Sequence, residues 1–183
     1  MTIEQQPINE YSAAQRTLIA ATRRVGDVLP PFSTWLMCGS GAALSLVVAN
    51  IETVSKFIEI THIRFALIIF LLSLALAVLA TYLSSTVKAA LGAQEDGEAL
   101  GREIANATTD FDFDLYITEY ERGLIPPIRW VARAAMRKAM QGDVVAGARM
   151  IAKISQVQAL LVACQSLLTL FALGGLACGI KMQ

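Results

Sequence analysis

Three stretches of this chain carry no Asp, Glu, Lys, Arg or His, and each is long enough to cross a bilayer: residues 31–51, 65–87 and 155–180. A bilayer's hydrocarbon core is about 30 Å thick and takes roughly 20 mostly apolar helical residues to cross. Lipid offers no partner to backbone N–H and C=O groups, so a spanning segment must satisfy its own, as a helix does. The second stretch is the most apolar, with Leu-Ile-Ile-Phe-Leu-Leu at 67–72, and the first is the least, being rich in Gly, Ala and Ser. Only 16% of the residues are charged, against about a quarter in soluble domains. The expected fold is therefore all-α: an integral, multi-pass membrane protein with three transmembrane helices, an N-terminal amphipathic helix and a helical cytoplasmic segment. The residues before the first apolar run include Glu4 and Glu10, unlike the short basic segment of a signal peptide, so uncleaved insertion is expected.

Lys and Arg near span ends set orientation. Arg16, Arg23 and Arg24 precede the first stretch, and only Lys56 and Arg64 lie in 52–64. The segment 88–154 holds Lys88, Arg102, Arg122, Arg129, Arg133, Arg137, Lys138, Arg149 and Lys153, while Lys181 alone follows the third stretch. The N-terminus and residues 88–154 are expected in the cytoplasm, and the loop and C-terminus outside, in the inner cell membrane. Four parts follow: a cytoplasmic amphipathic helix in 1–30; a transmembrane hairpin in 31–87, with spans 31–51 and 65–87 and outer loop 52–64; a charged helical cytoplasmic segment in 88–154; and a third span with a short outer tail in 155–183.

Residues 9–29 read as an interfacial helix, with Tyr11, Leu18, Ile19, Val25 and Val28 as a partial apolar face. Pro30 and Pro31 are expected to end it and start the first span. The segment 88–154 divides by charge. Between Glu95 and Glu121 lie nine acids and one base, Arg102; between Arg122 and Lys153 lie seven bases and one acid, Asp143. Gly123 and Pro126-Pro127 mark the break. The halves can pair as a hairpin, or the basic half can lie on anionic lipid. Arg129, Arg133 and Arg137 recur every four residues and share a helix face, with Trp130 beside them, which is a membrane-surface pattern.

Helices in lipid associate through small residues and a few polar side chains. Gly41, Ser45 and Ala49 form one such stripe, with Gly39 and Ala43 alongside; Ser73, Ala77 and Thr81 form another. The two are expected to face each other, Ser45 near Ser73 and Gly41 near Ala77. In the third stretch Gln158, Gln165, Ala172 and Gly179 recur every seven residues, interleaved with Leu161, Leu168 and Gly175. Upstream, these series reach Ile151 and Val144, and Ile154 and Gly147, giving a two-position heptad seam. Gly175-x-x-x-Gly179 lies on it and permits close helix contact. An amide at Gln165 demands a hydrogen-bond partner, on another helix of this chain or in a second copy. Cys38, Cys164 and Cys178 read as small buried packing residues.

Chemistry is sparse. Asp110-Phe-Asp-Phe-Asp114 suits a helix start, with Thr109 or Asp110 as cap, better than a metal site. The single histidine, His62, is expected to be a solvated interfacial residue, and it cannot build a multi-His zinc site. No span supplies a nucleophile with its base, or the ionisable residue that a coupled transporter needs. No catalytic, metal or cofactor-binding residue is assigned, and neither nucleic acid nor a small-molecule substrate is indicated. The expected partners are the lipid bilayer and either a second copy or another membrane protein. These features favour a non-enzymatic accessory, anchoring or scaffold component. The alternative is a small homo-oligomeric pore-forming or membrane-permeabilising effector, with Gln158 and Gln165 lining a conduit.

Overall fold

The computed structural model describes residues 10–106, 111–126, 128–143 and 145–181. It is 88% helix, with no strand among the described residues. The elements are α1 (Glu10–Ala49), α2 (Ile51–Val54), α3 (Ile60–Asn106), α4 (Phe113–Arg122), α5 (Ile128–Met140) and α6 (Ala146–Cys178). Three of them, α1, α3 and α6, are long and apolar enough to cross a membrane.

Two helices run past the ends read from sequence. α1 continues through Pro30 and Pro31. An interior proline removes an N–H and crowds the carbonyl four residues back, here those of Gly26 and Asp27. Such breaks are tolerated in membrane helices, where other groups can take over the freed backbone; Thr34 Oγ1 adds a separate bond to the Pro30 carbonyl at 2.9 Å. α3 does not stop at Val87 but continues to Asn106. Residues 88–106 hold five Ala and three Glu and contain no proline, so helix propensity carries the segment on after hydrophobicity ends, despite three Gly.

Contacts divide the chain into two units. One, the apolar unit, comprises residues 24–86 and 154–181; the other, the charged unit, comprises residues 10–23 and the described part of 87–153.

The apolar unit is built inside out. α1 buries Ser33, Ser40 and Leu44; α3 buries Ile63, Ala66, Ser73, Ala77, Ala80 and Ser84; α6 buries Ser155, Gln158, Val162, Gln165, Thr169 and Ala172. Leu71, Leu72, Leu79, Leu160, Leu167, Leu170 and Phe171 face outward. In lipid this order costs nothing, because a leucine is as well solvated by acyl chains as by protein, whereas small residues gain contact by close approach. The buried positions of α6 alternate in steps of three and four, as in left-handed bundle packing. All three cysteines are exposed rather than buried, because the inward positions are taken by smaller or hydrogen-bonding side chains.

At one end of this unit, α6 is seated against the start of α3. A methyl at Gly179 would lie 2.6 Å from His62 Cβ, and one at Gly175 would lie 3.3 Å from Phe65 Cδ1. Ile58 and Ile180 form an antiparallel bridge. The Glu59 N–H donates to the Gly179 carbonyl at 3.0 Å, and the Lys181 N–H to the Phe57 carbonyl at 2.8 Å. Lys181 Nζ adds a bond to the Ser55 carbonyl at 3.0 Å.

In the charged unit, Val87, Leu91, Val145, Ala148 and Ile151 are buried. Asp112, not an earlier residue, caps α4, its carboxylate accepting from the Leu115 N–H at 3.0 Å. Thr109, Asp110, Pro127 and Val144 lie outside the described residues. Tyr11 and Val28, assigned to an apolar face, are both exposed.

Close packing at the α6 terminus generates a graded test. Gly179→Ala should destabilise the apolar unit by about 1–3 kcal/mol through overpacking. Gly175→Ala should cost less, because the Phe65 ring can give way. Gly174→Ala, which meets open space, should be neutral or stabilising by up to about 1 kcal/mol from helix propensity. Unfolding in mixed detergent micelles measures all three, and equal midpoints would refute the close approach.

Candidate functional site

The polar side chains of the apolar unit meet at Gln165. Ser33 Oγ donates to Gln165 Oε1 at 2.7 Å, and Gln165 Nε2 returns a longer bond of 3.4 Å to the Ser33 carbonyl. From α3, Ser73 Oγ lies 3.0 Å from the Gln165 carbonyl oxygen and 2.8 Å from Thr169 Oγ1. Thr169 Oγ1 is also 3.0 Å from that carbonyl. Two hydroxyl protons therefore serve this triangle, one donating to the carbonyl and the other passing between the hydroxyls. Gln165, Ser73 and Thr169 are each 0% exposed, so the node joins all three long helices out of reach of solvent.

Gln158, one heptad earlier, is equally enclosed at 1% exposed. Its Oε1 has no partner among the described protein groups.

The packing residues read from sequence are thus distributed unevenly. Ser73, Ala77, Gln158, Gln165 and Ala172 are buried, and Gly175 and Gly179 touch α3. Ser45, Ala49 and Thr81 face outward, and Gly41 meets Phe70 rather than Ala77. α1 turns Ser33 and Ser40 inward instead of the Gly41–Ala49 stripe. The second series of the α6 seam is Ser155, Val162 and Thr169, not Leu161 and Leu168, which are only half-buried. Sequence reading missed Ser33 and Thr169. Their signal was polarity at heptad spacing: Ser33 and Ser40 are seven apart, like Gln158 and Gln165.

In the charged unit, the three arginines read as one α5 face all act on a single carboxylate, Glu121. Arg133 Nε lies 2.8 Å from both Glu121 carboxylate oxygens, and its Nη2 completes a bidentate pair. This couples α4 to α5 and leaves Arg133 half-buried, whereas Trp130 is 66% exposed and Arg137 exposed. The hydrogen bond from Arg133 is the first cause holding the Glu121 carboxyl below the usual carboxylate range; burial opposes it, and the charges of Arg133, Arg129 and Arg137 reinforce it. The same hydrogen bond raises Arg133.

Elsewhere, a groove of about 550 Å³ lies between Ser12–Arg23 and Leu91–Glu98. Its walls are tied by an Arg23–Glu95 ion pair and a Gln15–Glu98 hydrogen bond of 3.2 Å. Among the described residues no group of three His, Cys, Asp or Glu is placed to hold a metal. His62 Nδ1 is enclosed, 3.5 Å from Glu59 Oε2.

Two outcomes are expected. Ser33→Ala and Gln165→Leu should show a coupling of about 0.6–1.7 kcal/mol in a double-mutant cycle of detergent unfolding. Gln158→Leu should cost less than Gln165→Leu, because it removes an acceptor without a protein partner; a reversed order would discount the node. For α4–α5, the Glu121 contribution is full above the ordinary carboxylate pKa and is lost as pH falls through its lowered folded value. The raised Arg133 titrates only far into alkali. Spin labels at Thr118 and Gln141 should therefore separate on acidification, whereas Glu121→Gln should show the separated distance at neutral pH and no further acid response. Comparison with protein-family models, curated proteins and solved structures gives no match.

Proposed function

We propose that the chain is a non-enzymatic anchor of the cytoplasmic membrane. Its N-terminus and charged unit lie in the cytoplasm, and residues 55–59 and the C-terminus lie outside. The observation that carries this reading is the Gln165 node: Ser33 of α1, Ser73 of α3, and Gln165 and Thr169 of α6 are engaged with one another inside one chain. A conduit would need Gln158 and Gln165 to face water, and a coupled transporter would need an ionisable group within the span. Most of the charges instead lie in a separate folded unit, as suits a scaffold that holds a soluble partner at the membrane. Nine of the chain's Lys and Arg residues lie in 88–154, which supports a cytoplasmic position for that segment. Self-association through the Gln158–Gly179 seam is not needed, because that seam is used within the chain.

Labelling tests the topology. In a cysteine-free background, Phe57→Cys should react with an impermeant maleimide in intact cells, and Tyr120→Cys only after permeabilisation. Reaction of both from one side would remove the topology. Induced expression should leave the membrane potential intact. A collapse of the potential that Gln165→Leu abolishes would replace the anchor with a pore.

A further inference from the structure

The end of α5 and the first turns of α6 border a hollow of about 130 Å³, lined by Lys138, Asp143, Arg149 and Lys153 together with Ala134 and Ala146. Asp143 Oδ2 takes Arg149 Nη1 at 3.1 Å. Among the described residues, no carboxylate pairs with Lys138 or Lys153. Three cations less one carboxylate leave two positive charges around this hollow.

The course of α6 identifies the anion. α6 is one helix from Ala146 to Cys178, and its charge-free run starts at Ile154. Lys153 adjoins that run, and Arg149 precedes Lys153 by about 6 Å along the helix axis. The headgroup layer outside a bilayer's hydrocarbon core is about 5–7 Å deep on each side. Both α6 cations therefore fall at headgroup depth. On α5, Trp130, Ala134 and Lys138 follow at spacing four, so a ridge leads from an exposed indole to the hollow. Tryptophan favours the same interfacial layer. Arg133 adds nothing here, because Glu121 holds it.

We infer that this hollow binds the phosphate of an anionic phospholipid headgroup, with Lys138 and Lys153 as its charge partners and Trp130 as the interfacial contact. The inference rests on the anchor reading, which puts the start of the α6 apolar run at a bilayer surface. The chain's own bilayer supplies the ligand at high local concentration, so the individual contacts need not be strong.

The chain has two tryptophans, Trp35 and Trp130. In the full chain carrying Trp35→Phe, Trp130 emission reports on the site alone. The protein is inserted in phosphatidylcholine vesicles containing 0–30% phosphatidylglycerol. A saturable emission shift with phosphatidylglycerol is expected, and none with phosphatidylcholine alone or with inorganic phosphate. Lys138→Gln and Lys153→Gln should each weaken the response about fivefold. Asp143→Asn, which frees Arg149, should strengthen it. Arg122→Gln, an exposed cation outside the hollow, should leave it unchanged. The site is refuted by equal emission in both lipids, by an Arg122→Gln effect as large as that of Lys138→Gln, or by displacement with inorganic phosphate or an acidic peptide. Failure of the chain to resist alkaline extraction from the vesicles would overturn the anchor reading and this site together. An inserted chain indifferent to phosphatidylglycerol would overturn the site alone.

Discussion

In a medium without water, every polar group must find its partner inside the chain, and this requirement organises the apolar unit. Between leucine-rich helices, hydrophobic association is worth little, because the lipid tails outside are as apolar as the helix surfaces. What remains is close packing of small residues and a few hydrogen bonds that a slipped register would break. Gln165 supplies both kinds of specificity. Its side chain fixes α1 through Ser33, and its backbone carbonyl receives Ser73 of α3. A one-residue rotation of α6 would carry that amide toward lipid, where its desolvation would be uncompensated. The node is thus a device for register more than a large source of stability, each such bond being worth about 0.6 kcal/mol on average.

The glycines complete this logic at the other end of the bundle. Gly175 and Gly179 let the α6 backbone approach Phe65 and His62, and the tail continues into backbone bonds with residues 57 and 59. Side-chain bonds at mid-bundle and main-chain bonds at the terminus fix the same pair of helices at two heights. Two separated restraints define an orientation, which a single one would leave free to pivot.

How much of this the sequence discloses depends on the length scale of the signal. The three long helices are legible because the absence of charge over a bilayer's thickness is a coarse and strongly constrained feature. Their ends are not, since α1 runs on through Pro30 and Pro31, which read as a break, and the Ala- and Glu-rich residues after Val87 prolong α3 for reasons unrelated to hydrophobicity. The Gln158–Gly179 series is legible by its sevenfold spacing. Its companion is misread when leucines are taken as inward, a habit suited to water-soluble coiled coils; here Ser155 and Thr169 occupy those positions. Arg129, Arg133 and Arg137 are legible as one face by their spacing, but the carboxylate that face meets, Glu121, is a tertiary contact that helical spacing cannot reveal.

The two units consequently answer to different variables. Among the described residues, the buried positions of the apolar unit carry no ionisable side chain, so the hydrogen bonds around Gln165 are between neutral groups and depend on the surrounding amphiphile. The charged unit has a modest apolar core and one strongly coupled ion pair, Glu121–Arg133, at the α4–α5 contact. Exposed pairs such as Arg122–Glu119 add little, being screened and entropically costly. Acid therefore weakens the α4–α5 contact without reaching Gln165, and a change of lipid or detergent alters the helix bundle without titrating Glu121.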